Sequence, residues 1–183
     1  MQQWTELEFV GRDFTDEDFA GLTTERVLFT ECDFTSADLS RSTHAGSAFR
    51  NCRFRRTALW HSTFQYCSFL GSTFEECRIR PIVCEEVDFS LAALGGADLR
   101  GLDLSGCRFR ETSLVGADLR KAVLRGADLT AARTDRLRLE EADLRGARID
   151  PTVWTTAACR GARIDVEQAL AFAVAHGLDV AGG

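Results

Sequence analysis

A repeat of five residues runs through almost the entire chain. From Ala97 to Ala131 the sequence divides into ADLRG, LDLSG, CRFRE, TSLVG, ADLRK, AVLRG and ADLTA, with Leu or Phe at the centre of every unit. Five residues advance about 500° around an α-helix, and on a flat strand successive units would point to opposite faces. These central side chains can share one interior only if the chain turns a corner at each unit. The repeat therefore predicts a solenoid.

The same register extends from Trp4 to Ile164 without an insertion or deletion. The central residues have numbers ending in 4 or 9, and 28 of these 33 positions hold Phe, Leu, Ile or Trp. Eleven of the fifteen glycines fall two residues after a centre, where a corner needs a permissive backbone. Sorted with a period of twenty, the centres form four columns, and two columns hold ten of the twelve phenylalanines of the repeat region. Four units per coil predict an all-β, four-sided β-helix of about eight coils and roughly 40 Å.

Two irregularities in the repeat carry structural expectations of their own. Pro81 lies at a corner, and the unit after it, IVCEE, has lost the usual Asp and Leu. We therefore expect a kink or an irregular register over residues 79–86, with the isomer of the bond before Pro81 left open. His44 replaces a central Leu or Phe, which favours a buried, hydrogen-bonded histidine over a metal ligand.

The repeat ends at the segment ARIDV, so we expect the β-helix over residues 1–165 and a helix with a tail over 166–183. Asp165 followed by Gln168 three residues later is a capping-box pattern, and Gly177 is a stop signal. The helix is expected to seal the open end of the rod with one apolar stripe: Val166, Ala169, Leu170, Ala173 and Val174. This leaves Phe172, Leu178 and Val180 for a partner.

The composition restricts the class of protein further. There is no apolar run near 18 residues and no signal peptide, which predicts a cytoplasmic chain without a membrane partner. All seven cysteines lie at inward positions with no CxxC, which is typical of reduced thiols used for packing. The three histidines are scattered, and neither a catalytic set nor a phosphate-binding loop is present. We therefore expect neither an enzyme, nor a cofactor, nor a metal site.

The A-D-L-x-x units resemble those of the pentapeptide-repeat proteins, whose fold is a right-handed quadrilateral β-helix. Several stretches are similar to the fluoroquinolone-resistance members of that family: MQQW, GSAFRNC, TALWHSTF, ALGGADLRG, RETSLV, EEADLRGA and DVEQALAFAVAHGL. The resemblance implies a homodimer that binds DNA gyrase by imitating duplex DNA and so protects it from quinolones. It implies no direct contact with nucleic acid, and it adds a small regulatory GTPase as a candidate partner.

Imitation of DNA would have to rely on local stripes of charge. Duplex DNA carries about one charge per 1.7 Å, so a length of roughly 40 Å would carry more than about twenty. The net charge here is −6, although residues 1–40 alone hold ten acids and two arginines. The first choice for a gyrase-binding surface is Asp98, Asp103, Asp118, Asp128, Glu140, Glu141 and Asp143. The second choice is Asp13, Asp18, Asp33 and Asp38. The resemblance places the dimer interface at Val166, Leu170, Phe172, Val174, Leu178 and Val180.

The same acidic residues are also compatible with a second function. Exposed acids also solubilise a rod and discourage strand edges from pairing with other chains. Arg80, Arg100 and Arg120 stack beside the column of Asp98 and Asp118, so these acids could form surface ion pairs worth ~0–1 kcal/mol each. The alternative is therefore a non-catalytic scaffold that binds another protein.

Overall fold

The structure, a computed structural model, describes residues 2–181 and is a β-solenoid with a short C-terminal helix. Its strands have three residues each. They are β1 Gln3–Thr5, β2 Glu8–Val10, β3 Thr23–Glu25, β4 Leu28–Thr30, β5 Thr43–Ala45, β6 Ala48–Arg50, β7 Arg53–Arg55, β8 Thr63–Gln65, β9 Thr73–Glu75 and β10 Val83–Glu85. The helices are α1 Val153–Thr156 and α2 Val166–Ala175.

Neighbouring coils pair in parallel at a spacing of twenty residues. We call each such pair of residues a rung. The first rung joins Gln3 to Thr23, and rungs of the same spacing continue to the pair of Asp143 and Arg163. The predicted period of twenty is therefore confirmed, and it divides residues 3–163 into eight four-sided coils.

The central side chains fill the interior as stacked ladders. The ring centroid of Phe49 lies 4.7 Å from that of Phe29 and 5.0 Å from that of Phe69. A second ladder runs beside it, with Phe34 and Phe54 stacked 5.1 Å apart. All five rings are at most 2% exposed. The period of twenty thus places aromatic rings at the spacing of neighbouring strands, so that each ring packs on its equivalent in the next coil.

The corners require a left-handed backbone whichever residue occupies them. Every residue two places after a centre, from Glu6 to Gly161, has a positive φ except Pro81, Pro151 and Thr156. Only eleven of these corner residues are glycines. A β-carbon in this conformation costs about 1–2 kcal/mol, so the coils fold despite many small local penalties.

We expect Gly101→Ala to lower the free energy of unfolding by about 1 kcal/mol. Gly101 has φ +66°, and a β-carbon there would meet no atom within 4 Å, so the penalty is conformational and not steric. Urea unfolding measures it. Leu91→Ala is the matched control, because Leu91 is exposed and already carries a β-carbon at φ +60°. Equal losses in the two variants would contradict this explanation.

The last coil departs from the repeat at α1. The segment was expected to continue the flat units, but Val153–Thr156 forms a helical turn that places Trp154 in the core, 4% exposed. Pro151 has no N–H for a rung, and its fixed φ suits the start of a helix. The regular coil predicted for this segment is therefore replaced by one turn of helix.

The ladder is interrupted on two faces near Pro81. Arg78 and Val83 have rungs to the preceding coil, but in the described chain neither has a rung to Asp98 or Asp103, twenty residues later. The other two faces keep their rungs across the same step. The peptide bond before Pro81 is cis. The irregularity thus falls where the sequence places it, and a bend of the rod axis stays a prediction.

His44 is fully buried inside a network of hydroxyl groups. Its Nδ1 lies 2.7 Å from the hydroxyl oxygen of Thr24, and its Nε2 lies 2.8 Å from that of Ser42. Because the Ser42 hydroxyl donates to the Leu39 carbonyl at 2.6 Å, Nε2 donates to Ser42, and Nδ1 accepts from Thr24. Burial lowers the pKa of His44 to about 3, so the ring is neutral. The predicted buried, hydrogen-bonded histidine is confirmed.

Candidate protein-binding surfaces

The aspartates that directly precede a centre have a structural role that the sequence pattern did not reveal. The Oδ1 atom of Asp13 accepts the backbone N–H of Thr15 at 2.9 Å. That of Asp103 accepts both the N–H and the hydroxyl of Ser105, at 3.0 and 2.6 Å. Such bonds fix a turn two residues ahead, and an amide oxygen could make them equally well. One carboxylate oxygen therefore shapes the corner, and the other is left for an ion pair or a partner.

Arginines neutralise the acids at the centre of the first-choice surface. Asp98 receives a two-pronged contact from Arg100, at 2.8 and 2.7 Å, and a further contact from Arg80 at 2.9 Å. Asp118 is held by Arg120 in the same way, at 2.9 and 2.7 Å. The hydrogen bonds from Arg100 hold the pKa of Asp98 below its usual range, and those from Arg120 do the same for Asp118. These two carboxylates are charged but compensated.

Two more first-choice acids are compensated and also poorly accessible. Asp143 is 6% exposed, and both Arg125 and Arg145 contact it at 2.7 Å. Asp128 is 9% exposed and has two arginines at 3.6 Å. A partner would have to displace arginines to reach either carboxylate.

The remaining first-choice acids are more open. Asp103 has no cation within ion-pair distance in the described chain. Glu140 lies 3.7 Å from Arg138, and Glu141 lies 3.7 Å from Lys121. The first-choice surface therefore carries little unbalanced charge, because the arginines of the same repeats lie beside its acids.

The second-choice acids form an uncompensated stack. Asp13 shares a rung with Asp33, and Asp18 shares a rung with Asp38 on the next face. Of these four acids, within residues 2–181, only Asp33 has a cation within ion-pair distance, Arg53 at 3.9 Å. Like charges on neighbouring coils reinforce one another, and residues 1–40 hold ten acids against two arginines, so the first two coils form a strongly negative surface. Counting charges along the sequence could not rank the two surfaces, because the ranking depends on which side chains meet.

An arginine band borders this acidic stack. Residues 39–74 contain no acid and five arginines: Arg41, Arg50, Arg53, Arg55 and Arg56. The guanidinium of Arg41 lies 4.8 Å from the ring centroid of Trp60, a cation–π contact. The negative surface therefore ends sharply at the third coil.

Helix α2 closes the rod with a polar contact. Asp165 and Gln168 form the predicted capping box, which is confirmed. The amide of Gln168 also donates to the carbonyl groups of Leu144 at 2.7 Å and Ala147 at 2.8 Å, which joins the helix to the last coil. Gln168 is 7% exposed. This one side chain both starts the helix and caps the β-helix.

The face of α2 that packs on the rod is not the predicted stripe. Ala171 and Ala175 are the helix residues packed against the core, next to the buried Gln168, whereas Val166 and Leu170 are 79% and 47% exposed. The sealing stripe was predicted wrongly because the helix docks through a glutamine, which an apolar pattern does not register. All six proposed dimer-interface residues are exposed: Val166, Leu170, Phe172, Val174, Leu178 and Val180.

Residues 2–181 show neither a metal-binding cluster nor a membrane-spanning helix. No group of three or more His, Cys, Asp or Glu side chains there could hold a metal ion. None of the helices in that range has the length and apolar character that crossing a membrane requires.

Comparison with known proteins agrees with this architecture. A sequence model of the Pentapeptide repeats family matches residues 88–126 and 122–150 with eight copies. A full-length relative is 64% identical over 183 residues, which is the whole of both chains. The chain therefore belongs to the pentapeptide-repeat proteins.

That relative is the pentapeptide repeat protein MfpA of Mycobacterium tuberculosis. MfpA of Mycolicibacterium smegmatis is 68% identical over 59 residues, 32% of this chain and 31% of that protein. Among solved structures, trypsin-treated QnrB1, a plasmid-mediated fluoroquinolone resistance protein, superposes with a TM-score of 0.63 at 21% identity, covering 98% of this chain and 100% of that one. HetL of Nostoc sp. strain PCC 7120 gives a TM-score of 0.57 at 18% identity, covering 88% and 86%. These two structural matches support the fold alone.

Proposed function

We propose that this protein binds DNA gyrase in competition with DNA, inhibits or modulates its activity, and protects it from fluoroquinolones. Carboxylates on the rod would stand in for backbone phosphates and meet lysine and arginine side chains of the enzyme. The full-length similarity to MfpA supports this function, together with the resemblance of the sequence to the fluoroquinolone-resistance members of the family.

The observation that carries the proposal is the uncompensated acidic stack of the first two coils. Asp13, Asp18 and Asp38 have no cation within ion-pair distance in the described chain, and they stand on two adjacent faces of a regular rod. A surface that attracts a basic groove needs charge that its own arginines do not cancel. We therefore propose the first two coils as the primary contact and the surface around Asp103 and Glu141 as a secondary one.

We propose that the protein acts on gyrase as a homodimer. Six exposed apolar side chains lie on α2 and the tail after it, at the end of the rod opposite the acidic stack, and three of them, Val166, Leu170 and Val174, share one face of the helix at a spacing of four residues. A two-fold axis through this face would bury it in both copies and place one acidic stack at each far end. The dimer would then be a rod of roughly twice the monomer length.

The test is gyrase supercoiling with this protein titrated in, with and without a fluoroquinolone. Inhibition without drug, or relief of drug-induced cleavage, is expected, and the apparent affinity should fall as salt rises. Neutralising Asp13, Asp18 and Asp38 together by Asp→Asn should weaken inhibition about ten-fold or more. The amide keeps the acceptor that each corner needs, so the fold is preserved.

The matched control neutralises three compensated acids, Asp98, Asp118 and Asp143, in the same way. The net charge changes by the same three units in both sets, but we expect a smaller loss of inhibition in the control, because arginines of the rod already occupy these carboxylates and keep them from the cations of the enzyme. A larger loss of inhibition in this control than in the first set would show that gyrase contacts the first-choice surface instead. No effect of the unaltered protein at tens of micromolar, with circular dichroism showing that it is folded and light scattering showing a dimer, would reject gyrase binding in favour of the scaffold.

A further inference from the structure

The coil that contains Pro81 and the coil after it are joined by backbone rungs on only two of their four faces. We call the boundary between these two coils the joint. The joint has residues 76–86 on one side and 96–106 on the other. We propose that this joint is a hinge, which opens and closes in the folded protein, and that the ion pair of Arg80 and Asp98 is the clasp that holds it closed. The proposal concerns the rod itself and does not depend on gyrase binding.

Backbone pairing is missing across half of the joint. On the faces of Arg78 and Val83 no rung reaches the next coil in the described chain, so one corner of the stack lacks the bonds that join every complete coil to the next. On the opposite faces, rungs from Ser68 to Asp88 and from Thr73 onwards are continuous. Two continuous faces and two open faces are the arrangement of a hinge, with the continuous faces as its axis.

Inward side chains along the open faces are less well covered than elsewhere. Cys77, Ile82, Cys84 and Ala97 occupy inward positions but are only half-buried. Cys67, at an inward position in a fully paired coil, is 2% exposed. Solvent therefore reaches the edge of the core at the joint.

Packing inside the joint is also loose. An apolar cavity of about 20 Å³ lies there, with Phe69, Phe74, Ile79 and Leu99 in its lining. A void of this kind reduces the dispersion contacts that would resist opening.

One ion pair spans the open corner. A terminal nitrogen of Arg80 lies 2.9 and 3.0 Å from the two carboxylate oxygens of Asp98. Within residues 2–181, it is the only ion pair between the chain before residue 87 and the chain after it. Arg100 fixes Asp98 from its own side, so the carboxylate stays positioned to receive Arg80. Because both partners are partly exposed, the clasp is weak enough to open reversibly.

Opening would change the angle between the two halves of the rod. The acidic stack lies before the joint, and the arginine-compensated coils and α2 lie after it. A rod that must follow the curve of a partner surface can adjust at this joint without breaking a complete coil.

The rate at which the natural cysteines near the joint are chemically modified measures how often the joint opens. The folded protein is treated with the neutral reagent N-ethylmaleimide, and modification of each cysteine is followed by mass spectrometry. We expect Cys77 and Cys84 to react before Cys52 and Cys107, which are buried in continuous coils. Arg80→Gln should raise the rates at Cys77 and Cys84 about two- to five-fold and leave those at Cys52 and Cys107 unchanged.

Controls separate hinge opening from general loosening. Arg125→Gln removes one ion pair of Asp143 inside continuous coils and should alter no rate. Asp98→Asn, which keeps the turn acceptor, should repeat the effect of Arg80→Gln. Higher salt should raise the rate of modification of Cys77 and Cys84 in the unaltered protein but not in Arg80→Gln, because salt screens the ion pair that this variant lacks. Unchanged rates at Cys77 and Cys84 in both clasp variants, or an equal rise at Cys52, would overturn the proposal.

Discussion

Replacing Phe49 by alanine is expected to lower the free energy of unfolding by about 4 kcal/mol, the largest effect of any single change considered. Phe49 is 1% exposed and lies in the middle of its ladder, stacked at 4.7 Å on Phe29 and at 5.0 Å on Phe69. Neighbouring coils are joined by rungs, so the core cannot collapse into the space left by the ring. The change therefore loses both the transfer free energy of the ring and the contacts around a cavity.

Equilibrium unfolding in urea measures this loss, with the slope against denaturant compared between variants to check that one cooperative transition is followed. The control is Phe9→Ala in the same ladder. Phe9 is only half-buried, and among residues 2–181 only the ring of Phe29, at 5.3 Å, stacks on it within the ladder. We expect a loss of about 1–2 kcal/mol there. Equal losses at the two positions would mean that the rigid stack is not what makes the central ring costly to remove.

Acidification from pH 7.5 to pH 5 is expected to lower the free energy of unfolding by about 2 kcal/mol through His44 alone. Burial lowers the pKa of His44 to about 3 in the folded protein, against about 6.5 in an unfolded chain. Between these values the unfolded chain binds one proton more than the folded chain, so stability rises with pH in that window and is lost as pH falls. Carboxylates with a lowered pKa, such as Asp98 and Asp118, also make the folded protein less stable as pH falls, but their contribution is lost only below about pH 4.

Urea unfolding at several pH values tests this, with His44→Leu as the variant. Thr24 keeps a hydroxyl partner in Ser47 at 2.9 Å, and Ser42 keeps the Leu39 carbonyl at 2.6 Å, so the variant leaves few polar groups unpaired. The loss between pH 7.5 and pH 5 should nearly disappear. His61→Asn is the control, because His61 is exposed at a corner with φ +60° that asparagine tolerates. A pH dependence that survives in His44→Leu but disappears in His61→Asn would contradict the assignment.

The periodic features were predictable because they depend on local geometry alone. A five-residue period requires a corner in every unit, and this requirement placed the interior at Phe49 and its equivalents and the left-handed backbone at Gly101 and its equivalents. The same logic placed His44 in the core, since a residue at a central position has nowhere else to point. The capping box of Asp165 and Gln168 was also readable, because its two bonds join residues three apart.

The candidate surfaces were only partly predictable, because charge along a sequence does not say which side chains meet. Asp98 and Asp118 stand out as acids in the repeat, yet arginines two and eighteen residues away fold over them and cancel their charge. The acids Asp13 and Asp18 look no different in sequence, but no arginine among residues 2–181 lies within ion-pair distance of them.

The sequence by itself determined the four-sided rod, its core, its corners and the helix that ends it, since each follows from a short repeat or a local capping pattern. The tertiary structure alone decided which acids stay uncompensated, that Gln168 and not an apolar stripe docks α2, and that two faces open after Pro81 with Arg80 reaching across to Asp98. These outcomes depend on contacts between coils about twenty residues apart, where small differences in packing and ion pairing choose among arrangements that the repeat allows equally.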